Sequence, residues 1–156
     1  MKKILFVCTG NSCRSVMAQG LLRHAMKKKE RSDVQVLSAG VGTSGGIGPT
    51  LETVEVMSSL GIDVSTHIGQ PVTRELVRHA DAIFCMEEFH REWILSKFPE
   101  AEKKTYLLKS FQASQPLQDV NIPDPIGQPK EVYESCLMTI QDGVEKIIRW
   151  LGKEGP

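Results

Sequence analysis

The chain has 156 residues, and a length of this kind predicts one domain, over residues 1–156, with a substantial core. Its 19 basic and 19 acidic side chains balance, which argues against a general attraction to nucleic acid or to an anionic membrane. No apolar run approaches the roughly 20 residues that span a bilayer, and the apolar stretch near the N-terminus is too short for a signal peptide. We therefore expect a cytoplasmic protein whose four cysteines are thiols.

Short apolar segments alternate with helical patterns along the chain. Strands are predicted at 4–7, 34–37, 82–86 and 105–108. Helices are predicted after the first strand, with Met17 and Met26 on the apolar face, and at 49–60, 73–79, 87–98 and 130–151. This alternation predicts an α/β fold: a single open parallel sheet with helices on both faces. Residues 110–129 lack periodicity, and a loop of this length is usually functional.

A polar loop, Cys8-Thr9-Gly10-Asn11-Ser12-Cys13-Arg14-Ser15, follows the first strand and opens the first helix. In such folds ligands bind at the carboxyl ends of strands. Free backbone N–H groups of the loop and of the helix N-terminus form a concave site that fits a phosphate group. Gly10 is expected to give the backbone freedom that this turn needs. The predicted phosphate-binding residues are Thr9, Gly10, Asn11, Ser12, Cys13 and Ser15.

Two side chains of this loop, those of Cys8 and Arg14, are expected to take part in catalysis. The amides that bind phosphate also stabilise a thiolate at Cys8, which makes this cysteine a nucleophile. The planar guanidinium of Arg14, six positions after it, is suited to hold two phosphoryl oxygens and to neutralise charge in the transition state. Ser15 is expected to donate to the sulfur, and Asn11 to hydrogen-bond across the loop. A buried cysteine in an ordinary strand-to-helix turn is the structural alternative.

The loop resembles that of the low-molecular-weight protein tyrosine phosphatases, whose pattern is C-x-G-N-x-C-R-S. The resemblance extends over essentially the whole chain and includes Ser38-Ala39-Gly40, His90-Arg91-Glu92 and a late Asp-Pro. It implies that Cys8 is the nucleophile, forming a phosphocysteine, that Arg14 is the loop arginine, that Ser15 assists the thiolate and that Asn11 supports the loop. The general acid is then Asp124. The chain departs from the family at Val16, where proline is common, and at Ile126-Gly127, where tyrosine phosphatases often have aromatics.

The acid and a redox partner are predicted from residues around these positions. Asp124 lies between Pro123 and Pro125, which stiffen its backbone, and Asp119 is the rival acid. Cys13 is close enough to Cys8 along the curved loop for a disulfide that would protect an oxidised nucleophile, although it is also expected to pack beneath the loop.

Several functional alternatives remain open at this point. The phosphate site itself does not separate phosphotyrosine from phosphoarginine, and Ser12 resembles the small hydroxyl residue of the bacterial protein arginine phosphatases. Phosphotyrosine is ranked first. Arsenate reduction, with Cys85 as a relay thiol, and a non-catalytic phosphate-binding or redox module rank below. The chain is expected to act on phosphorylated proteins as a monomer or weak dimer, without a metal or cofactor, since its four histidines lack ligand spacing.

Overall fold

The computed structural model describes residues 1–153, and within this range the strands form one four-stranded parallel sheet. The strands are β1 (Lys2–Cys8), β2 (Val34–Gly40), β3 (Ala82–Cys85) and β4 (Thr105–Leu107). Their order in the sheet is β2-β1-β3-β4, and all neighbours are parallel. Residues 4–7 of the central strand are buried on both sides, as their continuous apolar run predicts.

The helices cover both faces of the sheet. They are α1 (Arg14–Lys28), α2 (Leu51–Ser58), α3 (Arg74–His79), α4 (Glu88–Lys97) and α5 (Lys130–Lys153), with a 3₁₀ turn at Pro99–Lys104. Helices α1, α2 and α5 pack together on one face, while α3 and α4 contact β1, β3 and β4 from the other. The predicted α/β fold class, with helices on both faces of an open parallel sheet, is confirmed.

The side chains on the two faces of β1 pack into two separate apolar clusters. Ile4 and Phe6 point into the larger cluster with α1 and α5, and Leu5 and Val7 into the smaller one with α3 and α4. Because alternate residues of one strand are fixed on both sides, β1 is held firmly, and so is the point at which Cys8 leaves it.

Element boundaries differ from the prediction where caps decide them. The helix predicted at 49–60 begins after Thr50, whose hydroxyl accepts from the amide of Thr53, and it ends at Ser58. Strand β2 continues to Gly40 because that residue still pairs with Cys8 of β1. Residues 110–129 contain no helix or strand, as predicted.

Candidate active site

Cys8 ends the central strand, and its sulfur receives hydrogen bonds from two sides of the loop. Its Sγ lies 2.9 Å from Ser15 Oγ and accepts from the Asn11 amide at 3.3 Å. The Ser15 oxygen itself accepts from Asn11 Nδ2 at 2.8 Å, which leaves the hydroxyl hydrogen of Ser15 to donate to the sulfur. Two donors at one sulfur suit a group that carries negative charge.

Asn11 holds the loop in shape. It is completely buried and has a φ of 54°, in the left-handed region that asparagine tolerates better than most residues. Its Nδ2 donates to Ser15 and, at 2.9 Å, to Ser38, and its Oδ1 accepts from the Gln70 amide at 3.0 Å. The prediction that Gly10 provides the unusual backbone angle of this turn is therefore wrong. The residue in the left-handed region is Asn11, which its side-chain hydrogen bonds hold there.

A second set of polar side chains forms hydrogen bonds with the partners of Asn11 and with its carbonyl. Ser38 donates to Gln19 at 2.6 Å, and the Gln70 amide side chain donates to the Ser38 carbonyl at 3.0 Å. His67 Nε2 lies 3.1 Å from the Asn11 carbonyl and must donate to it, since a carbonyl only accepts. Burial lowers the pKa of His67, in keeping with a neutral ring in this role.

Gly40, the last residue of β2, lets the chain after β2 lie close to the loop that follows Cys8. A Cβ at this position would lie 2.4 Å from the Thr9 carbonyl oxygen. The amides of Val41 and Gly42 donate to the carbonyls of Cys8 and Thr9 at 3.0 and 2.9 Å, so the chain after β2 runs directly along the phosphate loop. No residue with a side chain fits at position 40 without shifting that backbone.

The Arg14 side chain is buried, and its terminal nitrogen Nη1 has two close hydrogen-bond partners. Nη1 donates to Glu87 at 2.6 Å and to the Ile122 carbonyl at 2.8 Å. Nη2 lies 3.6 Å from the carboxylate of Asp124. Within residues 1–153, Arg14 Nε is the single buried side-chain nitrogen or oxygen without a hydrogen-bond partner. An unpaired buried donor is costly, so a ligand that accepts from Nε would be favoured here.

The helix that begins at this loop has no cap of its own. Cys13 occupies the N-cap position and makes no side-chain capping bond, and the first turn carries no acidic residue. In contrast, α2 and α3 are capped by Thr50 and Thr73. A helix N-terminus with free amide donors attracts an anion, and α1 presents such an end beside Cys8.

The start of α4 adds two residues, Glu87 and His90, for which no role in the site was predicted from the sequence. Glu87 binds Arg14, and its own amide donates to His90 Nδ1 at 3.0 Å. His90 is fully buried, and its Nε2 lies 2.9 Å from the hydroxyl of Thr9 in the loop. Burial, assisted by the charge of Arg14, lowers the pKa of His90 to about 3. The available signal was topological: Glu87 follows β3, which lies beside β1.

The two candidate acids lie in different surroundings. Asp124 has an oxygen 3.6 Å from Arg14, its other oxygen accepts from the Ile126 amide at 3.1 Å, and its side chain is 39% exposed. Asp119 instead lies 3.9 Å from Lys109 and is 64% exposed. The structure thus brings Asp124 to the loop arginine and gives Asp119 another partner.

All four cysteines are buried free thiols. Cys13 Sγ lies 3.5 Å from the Thr50 hydroxyl and 3.7 Å from that of Tyr133, so it packs beneath the loop against α2 and α5. Burial raises the pKa of Cys136 to about 12, and it also raises the pKa of Cys85, which lies within β3. These last two thiols are therefore poor nucleophiles as they stand.

Over residues 1–153, no three histidine, cysteine or acidic side chains cluster in a way that could hold a metal ion. In the same range no helix is both long and apolar enough to cross a membrane.

Comparisons with known proteins agree on one family. The family model described as low molecular weight phosphotyrosine protein phosphatase matches residues 3–156. The protein-arginine-phosphatase of Geobacillus stearothermophilus is 34% identical over 97% of each chain. "Probable low molecular weight protein-tyrosine-phosphatase EpsP" of Ralstonia nicotianae is 37% identical over 93% of this chain and 92% of its own. The solved structure of the YwlE arginine phosphatase from Geobacillus stearothermophilus superposes with a TM-score of 0.87 at 34% identity, covering 99% of this chain and 95% of that one.

Proposed function

This chain belongs to the low molecular weight phosphotyrosine protein phosphatase family, and from that premise we propose that Cys8 is its nucleophile, Arg14 its phosphoryl-binding residue and Asp124 its general acid. The enzyme is a cysteine-dependent phosphoric monoester hydrolase acting on phosphorylated proteins, and the predicted family is confirmed. The assignment of these roles to individual residues is our proposal.

The observation that carries this proposal is the unpaired Nε of buried Arg14, in the same short loop as the hydrogen-bonded sulfur of Cys8. Glu87 and the Ile122 carbonyl accept from Nη1, while Nε has no partner and Nη2 makes only long contacts, at 3.5 Å to the Thr9 hydroxyl and 3.6 Å to Asp124. Nε and Nη2 form one edge of the guanidinium, the edge that binds two oxygens of a phosphoryl group. A phosphate bound there meets the free donors of the α1 N-terminus and the sulfur of Cys8.

The first chemical step transfers the phosphoryl group to sulfur. The Cys8 thiolate attacks phosphorus, an S–P bond forms, and the bond from phosphorus to the substrate oxygen breaks. Asp124, as a carboxylic acid, gives its proton to that leaving oxygen. The arginine edge and the backbone amides stabilise the charge on the equatorial oxygens during transfer.

The second step returns the enzyme to its starting state. Asp124, now a carboxylate, takes a proton from water, the water oxygen attacks phosphorus, and the S–P bond breaks. Ser15 donates to the departing sulfur at the position where it lies 2.9 Å away, which stabilises the thiolate as it leaves. Inorganic phosphate and free Cys8 thiolate are the products.

The decisive test of covalent catalysis is Cys8→Ser. We expect this variant to lose essentially all turnover while it still binds inorganic phosphate or vanadate, since Arg14 and the loop amides are unchanged. Arg14→Lys should also be severely impaired, because an ammonium cannot reproduce the two-nitrogen edge. Substantial turnover in Cys8→Ser would exclude Cys8 as the nucleophile.

Phosphotyrosine is the substrate that we propose first, and phosphoarginine is the second candidate. The specific observation that favours the second is the rim of the site. Ser12 carries a small hydroxyl, 3.8 Å from Cys13 Sγ. Ile126, which is 55% exposed, follows Asp124-Pro125 at the position where tyrosine phosphatases often have an aromatic residue that stacks on the phenyl group. The relatives include both kinds of enzyme.

Turnover of phosphotyrosine and phosphoarginine peptides of matched sequence separates these candidates. Preference for phosphotyrosine would support the first. A strong preference for phosphoarginine that Ser12→Ile reverses would assign the enzyme to the second class and the discrimination to Ser12. Arsenate-dependent thiol oxidation would be needed to revive arsenate reduction, and the placement of Cys85 inside β3 argues against a relay through that thiol.

We also propose that the enzyme works in the cytoplasm. A nucleophilic thiolate at Cys8 requires a reducing compartment, and four free thiols agree with the cytoplasm. The balanced charge offers no general attraction to nucleic acid, and we propose a monomer or weak dimer in solution. Light scattering over a range of protein concentrations tests the oligomeric state.

A further inference from the structure

The hydroxyl of Thr9 has an unusual set of neighbours. His90 Nδ1 accepts from the Glu87 amide, and an amide only donates, so this ring nitrogen carries no hydrogen. The buried ring is neutral, and its hydrogen therefore lies on Nε2, which donates to Thr9 Oγ1 at 2.9 Å. Arg14 Nη2, also a donor, lies 3.5 Å from the same oxygen.

Two donors aimed at one oxygen leave the hydroxyl hydrogen of Thr9 for another partner. A threonine hydroxyl has one hydrogen and two lone pairs, and both lone pairs face nitrogen donors here. Among the residues that the structure describes, no acceptor lies within hydrogen-bond distance of this hydroxyl. Within residues 1–153 the half-buried hydroxyl is thus a donor without an acceptor, beside the Arg14 nitrogen that faces Asp124.

We propose that Thr9 is a further substrate-contacting residue, whose O–H donates to a phosphoryl oxygen bound at Arg14, and that His90 is the positioning residue that orients it. This inference rests on the proposed function, since it places one more donor in the phosphoryl site. It is separate from the loop amides, which bind phosphate whatever the side chain at position 9.

The fold explains why one short segment serves both groups. Glu87 and His90 lie at the start of α4, immediately after β3, and β3 is the neighbour of the strand that ends in Cys8. The Glu87 carboxylate fixes Arg14, while its backbone amide fixes the tautomer of His90 and hence the direction of the Thr9 hydroxyl. Two phosphoryl-binding donors are thus positioned by one turn of helix.

The direct test compares Thr9→Val with Thr9→Ser. We measure the equilibrium dissociation constant for inorganic phosphate, and kcat and KM with an aryl phosphate. Thr9→Val keeps the shape and removes the donor, and it should weaken phosphate binding by roughly tenfold or more, the usual effect of a hydrogen bond to a charged group. Thr9→Ser should stay within about threefold. Thr139→Val, which removes an exposed hydroxyl on α5, is the matched control and should leave both measurements unchanged.

Two substitutions at His90 separate positioning from packing. Gln places its amide nitrogen near the position of Nε2 and keeps the donor to Thr9, whereas Asn places its oxygen near Nδ1 and keeps only the acceptor for Glu87. His90→Gln should retain most of the phosphate affinity, and His90→Asn should lose about as much as Thr9→Val. The double variant Thr9→Val/His90→Asn should bind no more weakly than Thr9→Val alone. Nitrogen chemical shifts of the wild-type ring should show the neutral Nε2–H form at pH 7.

The outcomes distinguish this inference from the proposed function. If the wild type does not bind phosphate, the proposed function fails. If the wild type binds phosphate and Thr9→Val binds it equally well, only the role of Thr9 is overturned. If the losses in the double variant add, or the ring carries its hydrogen on Nδ1, the positioning role of His90 is overturned.

Discussion

Replacing Asn11 by alanine should destabilise the protein and slow the enzyme together. The change removes the three side-chain hydrogen bonds that Asn11 makes to Ser15, Ser38 and the Gln70 amide. At about 1 kcal/mol each they account for about 3 kcal/mol, and alanine at a φ of 54° costs about 1 kcal/mol more. We expect the free energy of unfolding to fall by about 4 kcal/mol and Tm by roughly 8–16 °C.

The same substitution should lower kcat. Ser15 then lacks the Asn11 donor that directs its hydroxyl towards Cys8, and the Asn11 amide that donates to the sulfur is no longer fixed. We expect a loss of roughly 10- to 100-fold in kcat, the effect of one or two misdirected hydrogen bonds near the reacting atoms.

Urea unfolding and steady-state kinetics on three variants separate these contributions. Asn11→Gly loses the same bonds but accepts the left-handed backbone, so it should be about 1 kcal/mol more stable than Asn11→Ala. Gln112 has a φ of 53° in an exposed loop, and Gln112→Ala is the matched control for backbone cost without the hydrogen bonds. A loss below 1 kcal/mol in Asn11→Ala, or equal losses in Asn11→Ala and Gln112→Ala, would refute the central role of Asn11.

The proposed acid, the second cysteine of the loop and buried His90 can each be tested separately. Asp124→Asn should slow phosphoenzyme formation by roughly 100- to 10,000-fold for poor leaving groups and less for an activated aryl phosphate; equal losses in stopped-flow bursts with both substrates would exclude it as the acid. Mild peroxide should inactivate the enzyme reversibly with a Cys8–Cys13 disulfide detectable by peptide mass spectrometry, and Cys13→Ser should recover poorly; full recovery would leave Cys13 a packing residue. Because the pKa of His90 is about 3 in the fold and ordinarily 6.5, only the unfolded chain takes up this proton between those values, so stability should fall by about 1.4 kcal/mol per pH unit as pH drops below 6.5. His90→Gln should show a correspondingly flatter dependence in urea titrations, and an unchanged slope would contradict the buried neutral ring.

The sequence was sufficient to predict the sheet, the order of elements and the position of the phosphate loop. Those predictions depend on local patterns: apolar runs, a helical period and a compact polar segment after the first strand. The shape of the loop could not be predicted in this way. Gly10 was the obvious residue for an unusual backbone angle, but Asn11 takes it because Ser38, His67 and Gln70 fix its side chain and carbonyl.

The roles of Glu87 and His90 in the site were not predicted, for a related reason. Both contact the loop across more than 70 residues of sequence, and neither belongs to a recognisable motif with Arg14 or Thr9. Their placement follows from strand order, since β3 and β1 are neighbours and their carboxyl ends meet at one edge of the sheet. Gly40 was named only as part of the resemblance, and the reason for a glycine there could not be predicted, because it is set by the Thr9 carbonyl in the loop after β1.

If anions bind at the uncapped start of α1 as proposed, the stability of the folded state should depend on the buffer in which the enzyme is kept. Each anion that occupies the helix end and the free edge of Arg14 binds the native chain and not the unfolded one. Inorganic phosphate at a hundred times its dissociation constant would then add about 2.7 kcal/mol to the unfolding free energy. On the proposed function the reaction product is also a stabiliser. Melting temperatures in phosphate should then exceed those in amine buffers, and a thermal shift on adding phosphate would report occupancy of the site without any substrate.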